Sequence, residues 1–330
     1  MTKRWFNIII GAAISLLALY FAFVGVDYQR VWASLVAADG LFVTAALLSV
    51  LLNNWAKAVR WKLLMGERGA QVPLTQALRL HLVGQMLNHL LPARAGDLSR
   101  IYMAGELGIA KSFILGTVAI EKVIDMVCYV LIFCLLLLLM PLPDWVSQPA
   151  YLLVLLTSVT LLVLVGVLLT RGQQQRLVAR LGAWLPVGVR ERVTRLGVNL
   201  LASLQVLADS GQQLRLVGWS LLIWLTAALT NYWTFLALGL ELSLVAAIFL
   251  LFVLVAGINI PSAPGRIGLF QYLCILSLAV FGVAQEAALS VGVLLHGLVY
   301  LPPIVAGLTT LWLSGQGGGS MRLPVAKSDE

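Results

Sequence analysis

The sequence predicts an all-α polytopic membrane protein, with about six full spans plus two broken or re-entrant helical hairpins in two inverted halves. Three observations carry that expectation. Of the 330 residues, 61% are hydrophobic and 11% charged, with a mean hydropathy of +0.97, whereas a soluble domain carries about 25% charged residues. A soluble enzyme is thereby excluded. Apolar runs long enough for spans of about 20 residues lie near residues 5–25, 41–58, 113–140, 150–170, 215–237 and 287–313. Two further apolar regions, 74–110 and 243–283, are interrupted by Pro and Gly. Broken backbone inside a bilayer is tolerated only where protein or a wet cavity satisfies it.

The first run begins at Lys3 and Arg4 and stays apolar to Val24 with no small-residue cleavage site, so it reads as a retained span. Residues 26–40 carry only Arg30 and read as an outer connection. The segment 57–79 holds five basic residues, 171–215 holds seven and the tail after 313 holds two. The connections 141–150, 238–243 and 282–286 hold none. Counted with Lys3 and Arg4, sixteen basic residues face one. That places both termini and the central loop 171–214 in the cytoplasm of an inner-membrane, multi-pass protein. Parity then requires each interrupted region to return to the face it entered.

In the central loop Val189, Val193, Leu196, Leu200, Leu204 and Leu207 form one helical stripe, with Arg190, Arg192 and Arg195 towards its polar side. Such a helix lies either on the cytoplasmic leaflet or against the protein's own cytoplasmic surface. The chain reads as one membrane domain, 1–313, with halves near 1–140 and 150–313 and a flexible Gly-rich tail, 314–330.

The two interrupted regions share a pattern. Asn88 precedes Pro92-Ala93-Arg94-Ala95-Gly96, and Asn259 with Pro261 precedes Pro264-Gly265-Arg266-Ile267-Gly268. Each P-x-R-x-G is followed by a Gly and a branched apolar residue, Gly108-Ile109 and Gly282-Val283, and preceded by Asn53-Asn54-Trp55 or Asn231-Tyr232-Trp233. An inverted repeat with broken helices is the architecture of many transporters. Helix breaks at Pro92, Gly96, Pro261, Pro264, Gly265 and Gly268 would aim backbone N–H groups at a shared cavity, favouring an anion. Arg94, Arg266 and Arg100, with Asn88 and Asn259, are the candidate ligands for a phosphate-bearing head group; capping of helix-end carbonyls is the plainer role for the arginines.

Glu121, Lys122 and Asp125 stand inside an apolar run, where each charge costs on the order of 2.5–3.5 kcal/mol. They read either as a proton or cation site or as an ion-pair network joining the halves. Aligning the halves on Gly108 and Gly282 brings His296 to the corresponding region of the second half, as a titrating group or a satisfied core histidine. The chain has no GxxxxGK[ST], GxSxG or HExxH, and Cys128, Cys134 and Cys274 lie in apolar runs without metal spacing. No catalytic residue, metal or cofactor is expected, and the protein does not read as an enzyme. The net charge of +8 flanks apolar runs, which points to anionic lipid head groups rather than nucleic acid.

The succession Asn53-Asn54-Trp55, Arg60-Trp61, Gly84, Asn88, Leu91-Pro92-Ala93-Arg94-Ala95-Gly96-Asp97, Arg100, Glu121-Lys122, Asp125 and Pro264-Gly265-Arg266-Ile267-Gly268 resembles the lysylphosphatidylglycerol synthase transmembrane, or flippase-like, family. The resemblance spans roughly residues 5–313. It implies a module that moves a lipid between leaflets, without the aminoacyl-transferase domain of the best-known members. Lys122 departs from the arginine usual at that position. The expected function is a lipid flippase or lipid-binding transporter for an anionic, phospho- or polyprenyl-phosphate-type lipid of the cell envelope. Two alternatives stand beside it: a non-transporting accessory protein that partners a biosynthetic enzyme of envelope lipids or glycolipids, and an integral-membrane transferase acting on a lipid phosphate.

Overall fold

The computed structural model describes residues 2–91, 95–169, 196–204, 209–257, 260 and 262–316. The expectations at Pro92, Arg94, Asn259 and Pro261, in residues 170–195 and 205–208 of the central loop, and in residues 317–330 of the tail lie outside these. Among the described residues there are helices and no strand.

α1 (Thr2–Phe23) leads into α2 (Tyr28–Val36), and the segments Ala13–Phe23 and Tyr28–Val36 meet at 86°. α2 replaces the outer connection expected over 26–40. The Asp27 carboxylate starts it by accepting the N–H groups of Gln29 (3.0 Å) and Arg30 (3.3 Å). Val31 is buried with Val26 and Leu289 while Tyr28, Trp32 and Val36, one turn apart, are exposed. One face meets protein and the other carries aromatic and apolar groups, as in a helix lying at a membrane surface.

The remainder forms two similar successions. The first is α3 (Gly40–Leu64), α4 (Leu74–Leu90), α5 (Ala95–Gly105) and α6 (Lys111–Leu139). After α7 (Asp144–Leu169) come α8 (Ser210–Ala237), α9 (Leu244–Gly257), α10 (Leu269–Ala279) and α11 (Gln285–Gln316). Helices α3, α6, α7, α8 and α11 contain segments long and apolar enough to cross a membrane, and the bent α1–α2 pair makes up to a sixth. The chain is a multi-pass membrane protein. The two interrupted regions are the short pairs α4–α5 and α9–α10, each split by a break.

Both successions run long helix, short helix, break, eleven-residue helix, glycine turn, long helix. The turns pass through Gly108 (φ 83°) and Gly282 (φ 74°), a left-handed backbone that costs a residue with a Cβ about 1–2 kcal/mol. Neighbour relations repeat as well: α3 packs on α4, α4 on α5 and α5 on α6, as α8 does on α9, α9 on α10 and α10 on α11. Each half's last long helix then packs on the other half's first short one, α11 on α4 and α6 on α9.

α3 and α8 lie along one another. Phe42 meets Trp233, Asn53 meets Ile223, and Arg60 meets Ser220. As numbers rise on α3 they fall on α8, so the two helices are antiparallel. Small residues bring the short helices together, since a Cβ on Gly96 would collide with the Gly84 carbonyl oxygen and one on Gly84 with the Arg100 stem. Close approach of this kind is what holds helices together where lipid is as apolar as their side chains.

Of the amphipathic stripe, residues 196–203 are helical. The Asn199 amide donates to the Ser112 hydroxyl (2.9 Å), and Ser203 fills the space over Gly116 of α6. This stretch packs on the protein's own surface.

Candidate functional site

A cavity of about 560 Å³ lies between the halves, walled by residues of α3 through α11 and by Arg266 of the second break. Five charged side chains reach its wall: Lys57, Lys122, Arg266, Asp97 and Asp125. Both carboxylates are already occupied. Asp97 meets Lys122 Nζ at 3.3 Å, and Asp125 Oδ1 accepts from Arg60 Nη2 at 2.6 Å. Among the described residues Lys57 makes no hydrogen bond or ion pair, and Arg266 donates to the Tyr300 hydroxyl (3.2 Å) without meeting a carboxylate. Neither cation therefore makes a direct ion pair at the cavity wall, although the Asp125 and Glu121 carboxylates lie within Coulombic range of Lys57. The His89 ring, on the same wall, lies within Coulombic range of both cations and packs 4.1 Å from the Tyr300 ring.

The charged residues of α6 form an ion-pair network. Glu121 and Arg100 bind each other through both oxygens, at 2.7 and 3.5 Å, with 6% and 3% side-chain exposure. The Arg100 guanidinium also lies 4.4 Å above the Trp61 ring, a cation–π contact that offsets part of its desolvation. Arg60, buried like Arg100, adds the Ser220 hydroxyl (3.1 Å) to its Asp125 bond. Glu121, Lys122 and Asp125 of one helix are thus tied to α5 and α3. The structure places Arg100 and Glu121 off the cavity wall, because each is the other's counter-ion. Lys122 and Asp125 do reach it.

The first break is organised by Asn88. Its Oδ1 accepts the Gly96 N–H (2.9 Å) and its Nδ2 donates to Asp97 Oδ1 (3.2 Å). In the second break Gln271 Oε1 accepts the Gly268 N–H (2.8 Å), and Gln271 Nε2 meets His296 Nδ1 (3.0 Å). His296 Nε2 closes the circuit on the Gly265 carbonyl (2.9 Å). A carbonyl only accepts, so Nε2 carries the proton and Nδ1 accepts from the amide. His296 is therefore a neutral brace for the Gly265–Arg266 turn, whose φ values are 73° and 54°. α1 braces the same turn from outside, with Ser15 Oγ accepting the Ala263 N–H (2.8 Å).

The leading glycine N–H of both short helices is thus capped by a side-chain amide. That moves the anion argument from the helix ends to the two free cations. Of the expected ligands, Arg266 and Asn88 reach the cavity, and Arg94 and Asn259 lie outside the described residues. Lys57 was hidden because residues 57–79 read as a basic loop. Its signal was a polar stripe, Asn53, Asn54, Lys57 and Arg60, at three- and four-residue spacing on an otherwise apolar helix.

A family model described as Lysylphosphatidylglycerol synthase TM region matches residues 8–307. No curated protein matches the chain.

Proposed function

The chain belongs to the lysylphosphatidylglycerol synthase TM-region family, and from that membership we propose that it binds an anionic membrane lipid and moves it between leaflets. The observation that carries this reading is the charge pattern of the cavity wall. Asp97 and Asp125 are paired internally, while Lys57 and Arg266 make no direct ion pair among the described residues. A cation without a direct ion-pair partner at membrane depth is costly, and a lipid phosphate would supply one to both. The Arg266 fork suits two phosphate oxygens and the Lys57 ammonium a third. The antiparallel α3 and α8 and the repeated neighbour relations support two inverted halves, which would let the site open to either leaflet. The basic asymmetry supports an inner-membrane orientation with cytoplasmic termini. Movement would be downhill or ion-driven.

The test is leaflet-resolved movement of fluorescent phosphatidylglycerol in proteoliposomes. The wild type should accelerate it, and Lys57→Met or Arg266→Met should slow it about tenfold or more, the order expected for losing one charge-assisted contact of about 1.5–3 kcal/mol. Arg266→Lys should fall between them. Binding without movement would instead favour the accessory-protein reading. Single cysteines at Glu106 and Glu286, in a background free of native cysteine, should label from opposite sides of the membrane. Labelling from one side would remove the inverted-repeat model.

A further inference from the structure

α1 and α2 stand outside the two repeated successions, yet both are fastened to the second of them. Gly11, Ser15, Ala18 and Ala22 recur at three- and four-residue steps on one side of α1, and this side meets the second break and α10. A Cβ on Gly11 would lie 3.2 Å from the Ser262 carbonyl oxygen, Ser15 Oγ accepts the Ala263 N–H (2.8 Å), and the Gly268 backbone rests on the Ser15 carbonyl and Leu19. At the far end of α1 the Gln285 amide, which opens α11, donates to the carbonyls of Phe21 (3.3 Å), Ala22 (3.4 Å) and Val24 (3.3 Å). Those are acceptors that a helix end leaves unpaired. α1 thus ties the Gly265–Arg266 turn to the start of α11, and α2 continues it at 86°.

α2 has nine residues, too few for a helix to persist without support from its surroundings, so its three sides decide whether it stands. Val31 and Leu35 pack with Val26, Leu289, Ile275 and Val293. Gln29, Arg30 and Ala33 form an exposed side, where Arg30 Nε pairs with Asp27 at 3.2 Å. Tyr28, Trp32 and Val36, four residues apart, form a third side that is 59%, 69% and 68% exposed. A protein side, a water side and an aromatic–apolar side, on a helix turned across the end of a spanning one, match the membrane–water interface, where Trp and Tyr keep the body in lipid and the polar edge wet. We propose that Tyr28, Trp32 and Val36 seat α2 in the headgroup–acyl boundary of the bilayer, and that α1 carries this hold to the second break, keeping the turn that aims Arg266 into the cavity. Without the lipid seat α2 keeps only its protein side. The Gln285 acceptors just before it then lose their place, and Ser15 is no longer pressed on Ala263. The inference does not depend on what the cavity binds.

The full chain is reconstituted in phosphatidylcholine nanodiscs. Nitroxide labels are placed singly at Tyr28, Trp32 and Val36, and at Gln29, Arg30 and Ala33, in a background free of native cysteine. Depth is read from accessibility to oxygen and to a water-soluble nickel chelate. The first set should favour oxygen and the second the chelate; equal chelate access at every position would overturn the lipid seat. Hydrogen exchange, which reports local opening, then reads the coupling. Trp32→Gln with Val36→Gln keeps a good helix former at each position and leaves Val31 and Leu35 in place. Exchange of peptides covering 262–268 should rise about tenfold or more in this variant, the order that anchoring one large apolar side chain supplies. Peptides covering the break between α4 and α5 should exchange as in the wild type. Trp32→Phe should retain wild-type protection. Ser15→Ala should raise exchange at 262–268 and leave the depth pattern of α2 unchanged, because it cuts the connection below the seat. Unchanged exchange at 262–268 in the double Gln variant would overturn the coupling, and so would an equal rise at both breaks, which is general loosening.

Discussion

In the first half, the break between α4 and α5 is tied to α6 by charge: Asp97 to Lys122 and, beneath it, Arg100 to Glu121. In the second half, the break between α9 and α10 is tied to α11 by neutral groups, with Gln271 bonded to His296 and His296 to the Gly265 carbonyl. The two share an order of elements and a capped glycine N–H, and differ in where charge is compensated. Acidic partners near the first break neutralise its cations. The second break has no carboxylate against it among the described residues, which leaves Arg266 available to a ligand. One architecture thus yields a fixed side and a receptive side.

The largest effect should come from Glu121→Gln. It leaves Arg100 charged at 3% exposure with no counter-ion, and breaking a buried pair by removing one partner costs about 3–5 kcal/mol. Thermal unfolding in detergent should show a much lower midpoint, with most of it restored by the double replacement Arg100→Met with Glu121→Leu. A midpoint close to wild type for Glu121→Gln would mean that the first break does not depend on charge.

Backbone crowding gives the next effect and sets the two breaks on equal terms. Gly96→Ala drives a methyl into the Gly84 carbonyl, and Gly268→Ala meets the Ser15 carbonyl at 2.6 Å with φ at 86°. Overpacking costs about 1–3 kcal/mol, and the left-handed backbone at 268 adds about 1–2 kcal/mol. Gly268→Ala should therefore lower the unfolding midpoint at least as far as Gly96→Ala. The reverse order would show that α1 yields where it packs on the second break.

The long apolar helices and the two interruptions were legible in the sequence because they depend on local composition and on Pro and Gly. α2 was missed although Asp27, Val31 and Leu35 carry its cap and buried face, because a stretch with one basic residue reads as a connection. Pairing was the least legible feature. Glu121 finds Arg100, 21 positions away, and Asp125 finds Arg60, 65 away; helix rotation decides such choices, and spacing along one helix does not report it. The repeat markers were more informative. Asn53, Asn54 and Asn231, noted only as punctuation before each motif, all reach the cavity.

Asp97→Asn should give the first break the neutral chemistry of the second. It releases Lys122, half in contact with the cavity at 40% exposure, as a third free cation, while Asn88 keeps an oxygen to donate to. The pair is only partly exposed, with Asp97 at 15%, so its loss should cost more than the about 0–1 kcal/mol of a surface pair and less than the about 3–5 kcal/mol of a fully buried one. Affinity for phosphatidic acid should rise about threefold to tenfold at low salt, with the gain falling as salt screens it. A fall in affinity would mean that Asp97 holds the first break in its binding shape rather than only masking Lys122.

The smallest effect concerns the second break's circuit. Gln271 and His296 are linked by one neutral hydrogen bond (3.0 Å), and the chain from the Gly268 N–H to the Gly265 carbonyl encloses Arg266 on both sides. Each neutral bond contributes about 1 kcal/mol, so His296→Phe and Gln271→Leu should each lower stability by about 1–2 kcal/mol. Together they should cost less than their sum, because either removal already breaks the shared bond. The lipid measurement separates bracing from mere packing. In the wild type, His296→Phe should weaken phosphatidic acid binding about threefold by loosening the Gly265–Arg266 turn. In an Arg266→Met background there is no guanidinium to aim, and the same replacement should leave binding unchanged. If His296→Phe weakens binding equally in both backgrounds, the histidine acts on the ligand directly and the second break's neutral circuit is not what positions Arg266.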